Sequence, residues 1–389
     1  MQNWIEERKI MDNKLKEYAS KWFSLYYEYS ANQLYFQFHI TRLCESRCQH
    51  CYFNDLESID GTLSFEECKH IIDEIVMASN QLELKPLIDF TGGDPLLHPA
   101  IYRILEYSHS KGVSIGLKCN SHQITNISIR KLRQCNVERI YLSLEGLEYV
   151  NDSIRGKGDF ERTIKAISLL KEAGFYIRVH MTLSKYNINQ VIPLMNFFIN
   201  NKFIIDVFSW SRFWSDSNPE LLLDKDEFEL AMEEQLEYLN TLYNSEEFYV
   251  RLDNSKIVPK IGFEFKEHIW FPFLYKKQFI DISTYETLSK INNSINCTST
   301  RNVYIIDNNG DIAKCRKIKE SKIGNIFTNS LIDIIKSDDN CRHEHMKKYS
   351  KCGSCKFYNV CAGCPAMSLA KTENRFNADP DCFIHTMKE

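Results

Sequence analysis

The sequence predicts an α/β fold with a parallel sheet, followed by a cysteine-rich C-terminal domain. Three observations support this prediction. Short apolar segments alternate six times with amphipathic segments, the chain of 389 residues is long enough for one large α/β domain with an appendage, and most of the 14 cysteines lie in the last quarter of the chain. Six β/α units in sequence indicate a parallel sheet covered by helices, either open or curled as part of a barrel.

The chain begins with a predicted amphipathic helical extension, residues 1–33. Apolar side chains recur at helical spacing from Trp4 to Leu25, with charged residues between them. We expect this helix to pack on the main domain, residues 34–223. The strands predicted for that domain are Leu34–Ile40, Leu87–Phe90, Val113–Leu117, Arg139–Leu144, Tyr176–Leu183 and Phe203–Phe208.

Amphipathic helices are predicted between these strands. The first opens with a capping box, Ser64 to Glu67, and runs to about Ala78. The others are Ala100–Lys111, Ile127–Gln134, Phe160–Ala173 and Asn189–Asn201. In folds of this class the active site lies where loops leave the C-terminal ends of the strands.

Two further regions complete the predicted domain organisation. Residues 224–296 form a helical connector, helical over 224–243 and then aromatic-rich with little periodicity. Residues 297–389 form the cysteine-rich domain, which opens with a β-hairpin turning at Asp307-Asn308-Asn309-Gly310. Its last 40 residues have little apolar periodicity, so we expect bound metal to supply much of their folding energy.

Charge and hydropathy exclude two classes of partner. Lys and Arg total 48 against 52 for Asp and Glu, which leaves no basic field of the kind that binds nucleic acid. No apolar run reaches the roughly 18 residues of a membrane-spanning helix, and the charged start lacks the apolar region of a signal peptide. We therefore expect a cytoplasmic protein with no nucleic-acid or membrane partner. In that reducing compartment, clustered thiols favour metal ligation over disulfides.

An early cysteine triplet predicts a metal site. Cys44, Cys48 and Cys51 follow the first predicted strand, so they lie on the side where active sites of such folds gather. Three thiolates on one tight loop hold three irons of a 4Fe-4S cube and leave the fourth iron open to a small-molecule ligand. The alternative is a zinc site with His50 as the candidate fourth ligand.

A glycine motif ends the second predicted strand. In Gly92-Gly93-Asp94-Pro95, the two glycines allow a ligand to approach the backbone closely, and the Asp94 carboxylate accepts hydrogen bonds from an ammonium group. Alone, this motif is equally typical of an ordinary turn. Its position about 40 residues after a cysteine triplet makes it informative.

The cysteine triplet and this glycine motif together resemble the radical S-adenosylmethionine (SAM) superfamily, where the second motif is usually Gly-Gly-Glu-Pro. The resemblance extends through Ser143-Leu144-Glu145-Gly146 and through residues 151–160, which normally begin with His and here begin with Asn151. It implies a partial six-stranded (β/α) barrel of the TIM type, a 4Fe-4S cluster that binds SAM, and cleavage of SAM to a 5'-deoxyadenosyl radical that abstracts a substrate hydrogen atom. The residues implied to contact SAM are Gly92, Gly93 and Asp94 at its amino end, Ser143 and Glu145 near its ribose, and Arg155 or Arg178 at its carboxylate.

The late cysteines resemble the seven-cysteine SPASM extension of radical SAM enzymes, which carries auxiliary Fe-S clusters. The pattern is Cys297-x12-Gly310-x4-Cys315, then Cys352-x2-Cys355-x5-Cys361-x2-Cys364, then Cys382. It departs from the family in the gap between Cys361 and Cys364, which has two residues here and usually has three. The resemblance implies that Cys352, Cys355, Cys361 and Cys382 bind the distal auxiliary cluster, and Cys297, Cys315 and Cys364 the proximal one. A zinc ribbon is the alternative for the clustered cysteines.

Two complete cubes need eight ligands, and this pattern supplies seven, so the proximal cluster is expected to have an open or non-cysteine site. Cys341 is a weak candidate for the missing ligand. Arg316 stands where sulfatase maturases of this family carry a catalytic Asp, which argues against formylglycine formation. Cys119 ends the third predicted strand, and it is either a hydrogen-atom donor, as an epimerase requires, or a small buried residue.

The function predicted from the sequence is hydrogen abstraction from a ribosomally made peptide, leading to crosslinking, thioether formation or epimerisation. The first 33 residues are too few for the leader-recognition domain of such enzymes, so a peptide substrate requires either a separate recognition protein or direct docking on the first helix. We also expect an electron donor such as flavodoxin or ferredoxin. The alternatives are a radical SAM dehydrogenase or cofactor-biosynthesis enzyme acting on a small molecule, and a non-enzymatic Fe-S electron carrier.

Overall fold

The computed structural model describes residues 13–53, 62–201, 205–215, 218–252, 256–290, 302–338 and 351–384. The strands are β1 (Gln33–Thr41), β2 (Lys85–Gly92), β3 (Ser114–Lys118), β4 (Arg139–Ser143), β5 (Tyr176–Leu183), β6 (Val207–Arg212), β7 (Tyr249–Leu252), β8 (Lys256–Pro259), β9 (Gly262–Glu264), β10 (Val303–Ile306), β11 (Asp311–Ala313) and β12 (Lys322–Asn325). The helices are α1 (Asn13–Ala31), α2 (Phe65–Gln81), α3 (Ile101–Ser110), α4 (Asn126–Gln134), α5 (Glu148–Arg155), α6 (Asp159–Glu172), α7 (Val191–Asn200), α8 (Lys225–Asn244), α9 (Trp270–Lys276), α10 (Ile282–Ser289), α11 (Leu331–Ser337) and α12 (Pro365–Thr372).

The main sheet has the order β12-β11-β10-β1-β2-β3-β4-β5-β6-β9 in the described residues. Strands β1 to β6 are parallel neighbours in chain order, with helices between them, so the α/β prediction is confirmed. The predicted capping box is also present. The Glu67 amide donates to Ser64 Oγ at 3.2 Å, and the Ser64 amide donates to Glu67 Oε2 at 2.7 Å.

The sixth strand lies four residues later than predicted, at Val207–Arg212 rather than Phe203–Phe208. The prediction followed an apolar run, but Asp206 ends that run and its carboxylate accepts from the Ile177 amide at 2.7 Å and from the Lys171 ammonium at 3.0 Å. The strand itself alternates apolar residues with serines, because its two faces have different environments.

The predicted connector is more regular than its sequence suggests. It contains the β7–β8 hairpin, the helices α9 and α10, and β9, which pairs in parallel with β6. At the other edge, β10 of the C-terminal region pairs in parallel with β1 and continues into the predicted hairpin. The sheet therefore runs without interruption across the predicted domain boundaries at 224 and 297, which stay predictions.

The two faces of the sheet differ in chemistry. One face packs under the helices through residues such as Phe38, Phe90 and Leu117, each of them buried in the core; such side chains contribute roughly 1.5–3 kcal/mol each on burial. The opposite face carries polar groups that contact each other across strands. Lys118 pairs with Asp89 at 3.1 Å, which shows that this face is a polar interior.

Helix α1 packs against the domain as expected. Leu15 and Phe23 are buried, the Tyr18 hydroxyl donates to the Phe263 carbonyl at 2.9 Å, and the Tyr27 hydroxyl donates to the Val360 carbonyl at 2.8 Å. The helix thus joins β9 to the C-terminal region. The first residues of the predicted extension, including Trp4, lie outside the described residues.

Candidate active site

The cysteine triplet lies on the loop that leaves the C-terminal end of β1. The loop is tied down by backbone hydrogen bonds, from the Cys51 amide to the Cys48 carbonyl at 3.1 Å and from the Gln49 amide to the Ile154 carbonyl at 3.0 Å. The three thiols are partly buried, and burial raises the pKa of Cys48 to about 11, although the Arg155 charge opposes this. A bound metal stabilises the thiolate forms that burial disfavours.

The glycine motif holds this loop in place. The Gly93 amide donates to the Thr41 carbonyl at 2.9 Å, and the Asp94 amide donates to the Leu43 carbonyl at 2.6 Å. A Cβ on Gly92 would overlap the Thr41 carbonyl oxygen, and a Cβ on Gly93 would overlap that of Leu43. The close approach that these glycines permit is therefore between two loops of the protein, and their contact with SAM stays a prediction.

Asp94 is a buried carboxylate beside the cysteine loop. Its Oδ1 accepts a hydrogen bond from the Leu96 amide at 3.1 Å. Burial raises the pKa of Asp94 to about 7, although hydrogen bonds from the backbone amides of Leu96 and Asn120 oppose the rise. An ammonium group brought next to it would stabilise its charged form, as expected of a residue that holds the amino end of SAM.

Glu145 and Arg155 form a buried ionic cluster with the cysteine loop. Arg155 Nη1 lies 3.3 Å from Glu145 Oε1, and Arg155 Nε lies 3.0 Å from Asp159 Oδ2. Glu145 also contacts His50 Nε2 at 3.1 Å and accepts from the Thr182 amide at 2.8 Å. Its carboxylate thus joins three segments, and His50, the candidate zinc ligand, is engaged in this cluster.

Two asparagines organise the same cluster, Asn151 of the predicted 151–160 motif and Asn120, which the sequence did not single out. Asn120 Nδ2 donates to Cys44 Sγ at 3.2 Å, while its Oδ1 accepts from Arg155 Nη2 at 3.1 Å. Asn151 Oδ1 accepts from the Glu145 amide at 2.9 Å. The signal that points to Asn120 is its position just past the C-terminal end of β3, because groups that follow parallel strands converge there.

The two arginine candidates are separated by the structure. Arg178 lies in β5 two residues before His180, the register partner of Ser143, so it is deeper in the interior than the end of β4. It forms an ion pair with Glu264 and donates to the Tyr141 hydroxyl at 3.3 Å. Arg155, rather than Arg178, is the arginine that the structure brings to the cysteine loop, and which of the two binds the SAM carboxylate stays a prediction.

Cys119 belongs to the apolar core. It is 7% exposed and clusters with Leu117, whereas Lys118 between them is on the polar face. Burial, and after it the Asp94 charge, raises the pKa of Cys119 well above its ordinary value. Of the two interpretations drawn from the sequence, this placement favours a small buried residue over a hydrogen-atom donor.

Four late cysteines line one small cavity at the C-terminal end of the chain: Cys352, Cys355, Cys361 and Cys382. These are the four predicted to bind the distal auxiliary cluster. Gly363 lies in the shortened gap, where a side chain is not tolerated, because a Cβ there would stand 2.9 Å from Cys352 Sγ and its φ is +69°. The turn between Cys361 and Cys364 thus packs directly against another cysteine of the set.

Cys364 and Cys315 lie outside this cavity. Cys364 is at the start of α12 and packs against Phe213 and Met367 rather than in the cavity. Cys315 follows β11, where its amide donates to Ser321 Oγ at 3.2 Å. Cys297 and Cys341 lie outside the described residues, so the proximal ligand set and its eighth position stay predictions.

Comparison with known families decides what these sites are. Residues 38–198 match the radical SAM superfamily, and residues 297–365 match SPASM, an iron-sulfur cluster-binding domain. The chain is a radical SAM protein with a C-terminal SPASM domain. Its radical SAM domain implies a 4Fe-4S cluster and SAM, and its SPASM domain implies auxiliary Fe-S clusters. The described helices include none that is long and apolar enough to cross a membrane.

Similar proteins agree on the fold and differ in what they act on. The AdoMet-dependent heme synthase of Methanosarcina barkeri is 26% identical over 370 residues, covering 90% of this chain and 96% of that protein. Streptococcus suis SuiB, solved with its precursor peptide SuiA, has a TM-score of 0.67 at 20% identity over 91% of this chain and 76% of SuiB. The structure of anSMEcpe with bound AdoMet has a TM-score of 0.65 at 14% identity over 88% and 93%. The two structures show that the fold is the TIM-like radical SAM fold.

The donor sets of the site suit these cofactors. Among the described residues, no three ligating side chains converge on a single metal ion, and a cube does not require this, because each thiolate binds a different iron. The amide of Asn120 on Cys44 Sγ is the kind of hydrogen bond that tunes a cluster thiolate. The buried Asp94 offers an acceptor for an ammonium group in the same place.

Proposed function

We propose that this radical SAM enzyme abstracts a hydrogen atom from a carboxylate-bearing tetrapyrrole. The observation that carries the proposal is the similarity to the heme synthase, which extends over nearly the whole of both chains. Because the match covers 90% of this chain, it includes the sheet, the connector and the cysteine-rich region together. This proposal favours the small-molecule alternative over the peptide predicted from the sequence.

The interior face of the sheet supports a substrate chamber. Layers of bulky branched side chains fill an ordinary barrel, but the interior positions near the C-terminal ends of β4, β5 and β6 carry Ser143, Thr182, Ser209 and Ser211. These side chains are small and polar. Ser209 and Ser211 both lie within hydrogen-bond distance of His180, so this layer is polar and suits a substrate with polar groups.

The residues of this chain have defined tasks in the proposed reaction. The SAM-derived radical supplies the hydrogen abstraction when the cofactors are bound. Asp94 accepts hydrogen bonds from the amino end of SAM, and Arg155 binds its carboxylate. Glu145 keeps Arg155 in place and links it to the cysteine loop through His50.

A ribosomally made peptide is the second candidate substrate. It is supported by the likeness in fold to SuiB, which was solved with its precursor peptide. The electron donor and a separate leader-recognition protein stay predictions in this case.

The two candidates are separated by anaerobic incubation of the reconstituted protein with SAM and dithionite. One arm contains Fe-coproporphyrin III, the tetrapyrrole named in a second similar protein, the Fe-coproporphyrin III synthase of Methanosarcina barkeri, which is 23% identical over 89% of this chain and 86% of that protein. The other arm contains candidate short peptides. The proposal expects 5'-deoxyadenosine in the first arm together with a change in mass of the tetrapyrrole, and no product when Cys44→Ala protein is used. A modified peptide with an unchanged tetrapyrrole would overturn it. No cleavage of SAM in any arm would support the Fe-S electron carrier instead.

A further inference from the structure

Lys266 lies at the C-terminal end of the sheet, on its polar face. It follows β9 by two residues, and β9 pairs with β6 at Glu264 and Ser209. Because side chains alternate along an extended chain, Lys266 is directed to the same side as Glu264. Glu264 is in turn paired with Arg178 in the interior. Lys266 is therefore on the polar interior face of the sheet, next to the ion pair of Arg178 and Glu264.

The groups that act on Lys266 are mainly cations. They are Lys118 on β3, Arg178 on β5 and Arg316 beyond β11, and the carboxylate that opposes them is Glu264. Burial, and after it the Lys118 charge, lowers the pKa of Lys266 to about 7. The ammonium form is thus disfavoured where it stands, and an anion placed beside it would stabilise it.

The neighbouring histidine does not offset this positive charge. His180 contacts Ser209 Oγ at 3.0 Å through Nδ1 and Ser211 Oγ at 2.9 Å through Nε2. Burial lowers the pKa of His180 well below its ordinary value, and the charges of Lys266 and Arg316 act in the same direction. The imidazole is therefore neutral at neutral pH.

The carboxylates of the interior are already engaged by other groups. Asp89 is 3.1 Å from the Lys118 ammonium and accepts from the Tyr35 hydroxyl at 2.6 Å, and Asp307 is 2.7 Å from His39 Nδ1. Glu264 is committed to Arg178, as above. Because Lys118 is paired with Asp89 and Arg178 with Glu264, the cations of this region that these carboxylates do not pair with are Lys266 and Arg316.

Arg316 links this positive region to both cysteine-bearing segments. It directly follows Cys315, its guanidinium lies 5.0 Å from the centre of the Tyr52 ring, and its Nη1 donates to Gln37 Oε1 at 3.2 Å. Tyr52 directly follows Cys51.

We propose that the Lys266 ammonium, supported by Lys118 and Arg316, binds a carboxylate of the substrate. Lys266 is then a specificity-determining residue for an anionic substrate. The proposal deepens the proposed function and rests on it for the identity of the anion, a tetrapyrrole carboxylate. The carboxylate binding itself is testable without that identity.

The first test measures the binding of coproporphyrin III to the reconstituted holoenzyme by fluorescence titration. Lys266→Met should raise the Kd by roughly tenfold to hundredfold, the range expected for losing a hydrogen bond to a charged group, and Lys266→Arg should stay near wild type. The matched control is Lys260→Met, which removes a lysine before the opposite end of β9. An unchanged Kd in Lys266→Met, or an equal loss in the control, would overturn the proposal.

The second test separates failure of the subsite from failure of the proposed function. Competitive acetylation of wild-type holoenzyme, followed by peptide mass spectrometry, compares Lys266 with Lys260 in glutarate and in uncharged glutaramide. Protection of Lys266 by glutarate alone supports a carboxylate subsite, even if coproporphyrin III does not bind and the tetrapyrrole is wrong. Equal labelling of Lys266 in both solutions overturns the subsite whatever the substrate is.

Discussion

Replacing Arg212 with methionine removes the cation that joins the end of β6 to the last segment of the chain. Arg212 is 1% exposed. Its guanidinium lies 2.9 Å from Glu267, 2.8 Å from Asp379 and 2.7 Å from Asp381. Asp379 also lines the cavity of the four late cysteines. The substitution therefore tests whether the auxiliary-cluster region is held to the sheet by this buried network.

The expected loss of stability follows from the burial of Arg212 and of its three carboxylate partners. Glu267, Asp379 and Asp381 are at most 8% exposed, so the substitution leaves buried carboxylates without their principal cation. Removing one partner of a buried ion pair costs about 3–5 kcal/mol. Part of the negative charge stays compensated in the variant, because Lys371 pairs with Asp381 and His268 lies 3.2 Å from Asp379. We expect a loss of unfolding free energy of about 3 kcal/mol or more.

The sign of the pH dependence follows from Asp379. Burial would raise its pKa, but the Arg212 charge and hydrogen bonds hold the pKa well below the ordinary value. A carboxylate with a depressed folded-state pKa stabilises the fold fully above the unfolded value of about 4 and loses this contribution as the pH falls. The difference in unfolding free energy between wild type and Arg212→Met should thus be largest at neutral pH and become smaller on acidification.

The assay is anaerobic urea unfolding of the reconstituted proteins at neutral pH, followed by circular dichroism and by cluster absorbance. The midpoint of Arg212→Met should fall by on the order of 1 M. The control is Arg375→Met, whose exposed pair with Glu320 at 3.9 Å is worth at most about 1 kcal/mol. Equal midpoints for the two variants, or an Arg212→Met midpoint at the wild-type value, would show that the buried network of Arg212 does not hold the auxiliary-cluster region to the sheet.

Three further predictions concern the cluster and SAM sites. Gly93→Ala should lower the iron content, measured after reconstitution, because its Cβ overlaps the Leu43 carbonyl and displaces the cysteine loop. In the control Gly174→Ala the Cβ meets nothing within 4 Å, and the φ of +79° strains only the turn before β5, at the opposite end of the strands from the cysteine loop, so the iron content should stay at the wild-type value. Arg155→Leu should raise the Kd for SAM at least tenfold in equilibrium dialysis, in keeping with a lost hydrogen bond to a charged group. An equal effect of Arg178→Leu would count against the proposal that Arg155 binds the carboxylate of SAM. Gly363→Ala should lower the iron content by disturbing Cys352 while leaving SAM binding intact, and a full iron content would show that the turn tolerates a Cβ 2.9 Å from that thiol.

Local signals in the sequence predict the parts of this fold that local chemistry determines. The capping box at Ser64 and the first five strands follow from short-range patterns, and the cysteine triplet lies just after the strand that precedes it. The predicted sixth strand, Phe203–Phe208, follows an apolar run, whereas the strand in the structure, Val207–Arg212, has the polar Ser209 and Ser211 on its interior face and therefore lacks the apolar run on which the prediction relied. Strand β9 has only three residues, Gly262–Glu264, and it depends on pairing with β6.

The site was predicted less completely, because several of its contacts join residues that are distant in the chain. The motif residues Asp94 and Glu145 were found from their spacing. The choice between Arg155 and Arg178 needed the register of β5, and the network of Arg212 with Asp379 spans 167 residues. Lys266 lies in an aromatic-rich segment without a motif, and only its cationic neighbours on other strands single it out.

The central claim is that this chain uses SAM to abstract a hydrogen atom from a carboxylate-bearing tetrapyrrole. The most direct test is transfer of deuterium from Fe-coproporphyrin III, labelled on its carboxylate-bearing side chains, into 5'-deoxyadenosine under anaerobic reducing conditions. The account predicts deuterated 5'-deoxyadenosine with wild-type protein and none with Cys44→Ala. SAM cleavage without deuterium in the product, alongside a peptide that does transfer its label, would contradict it.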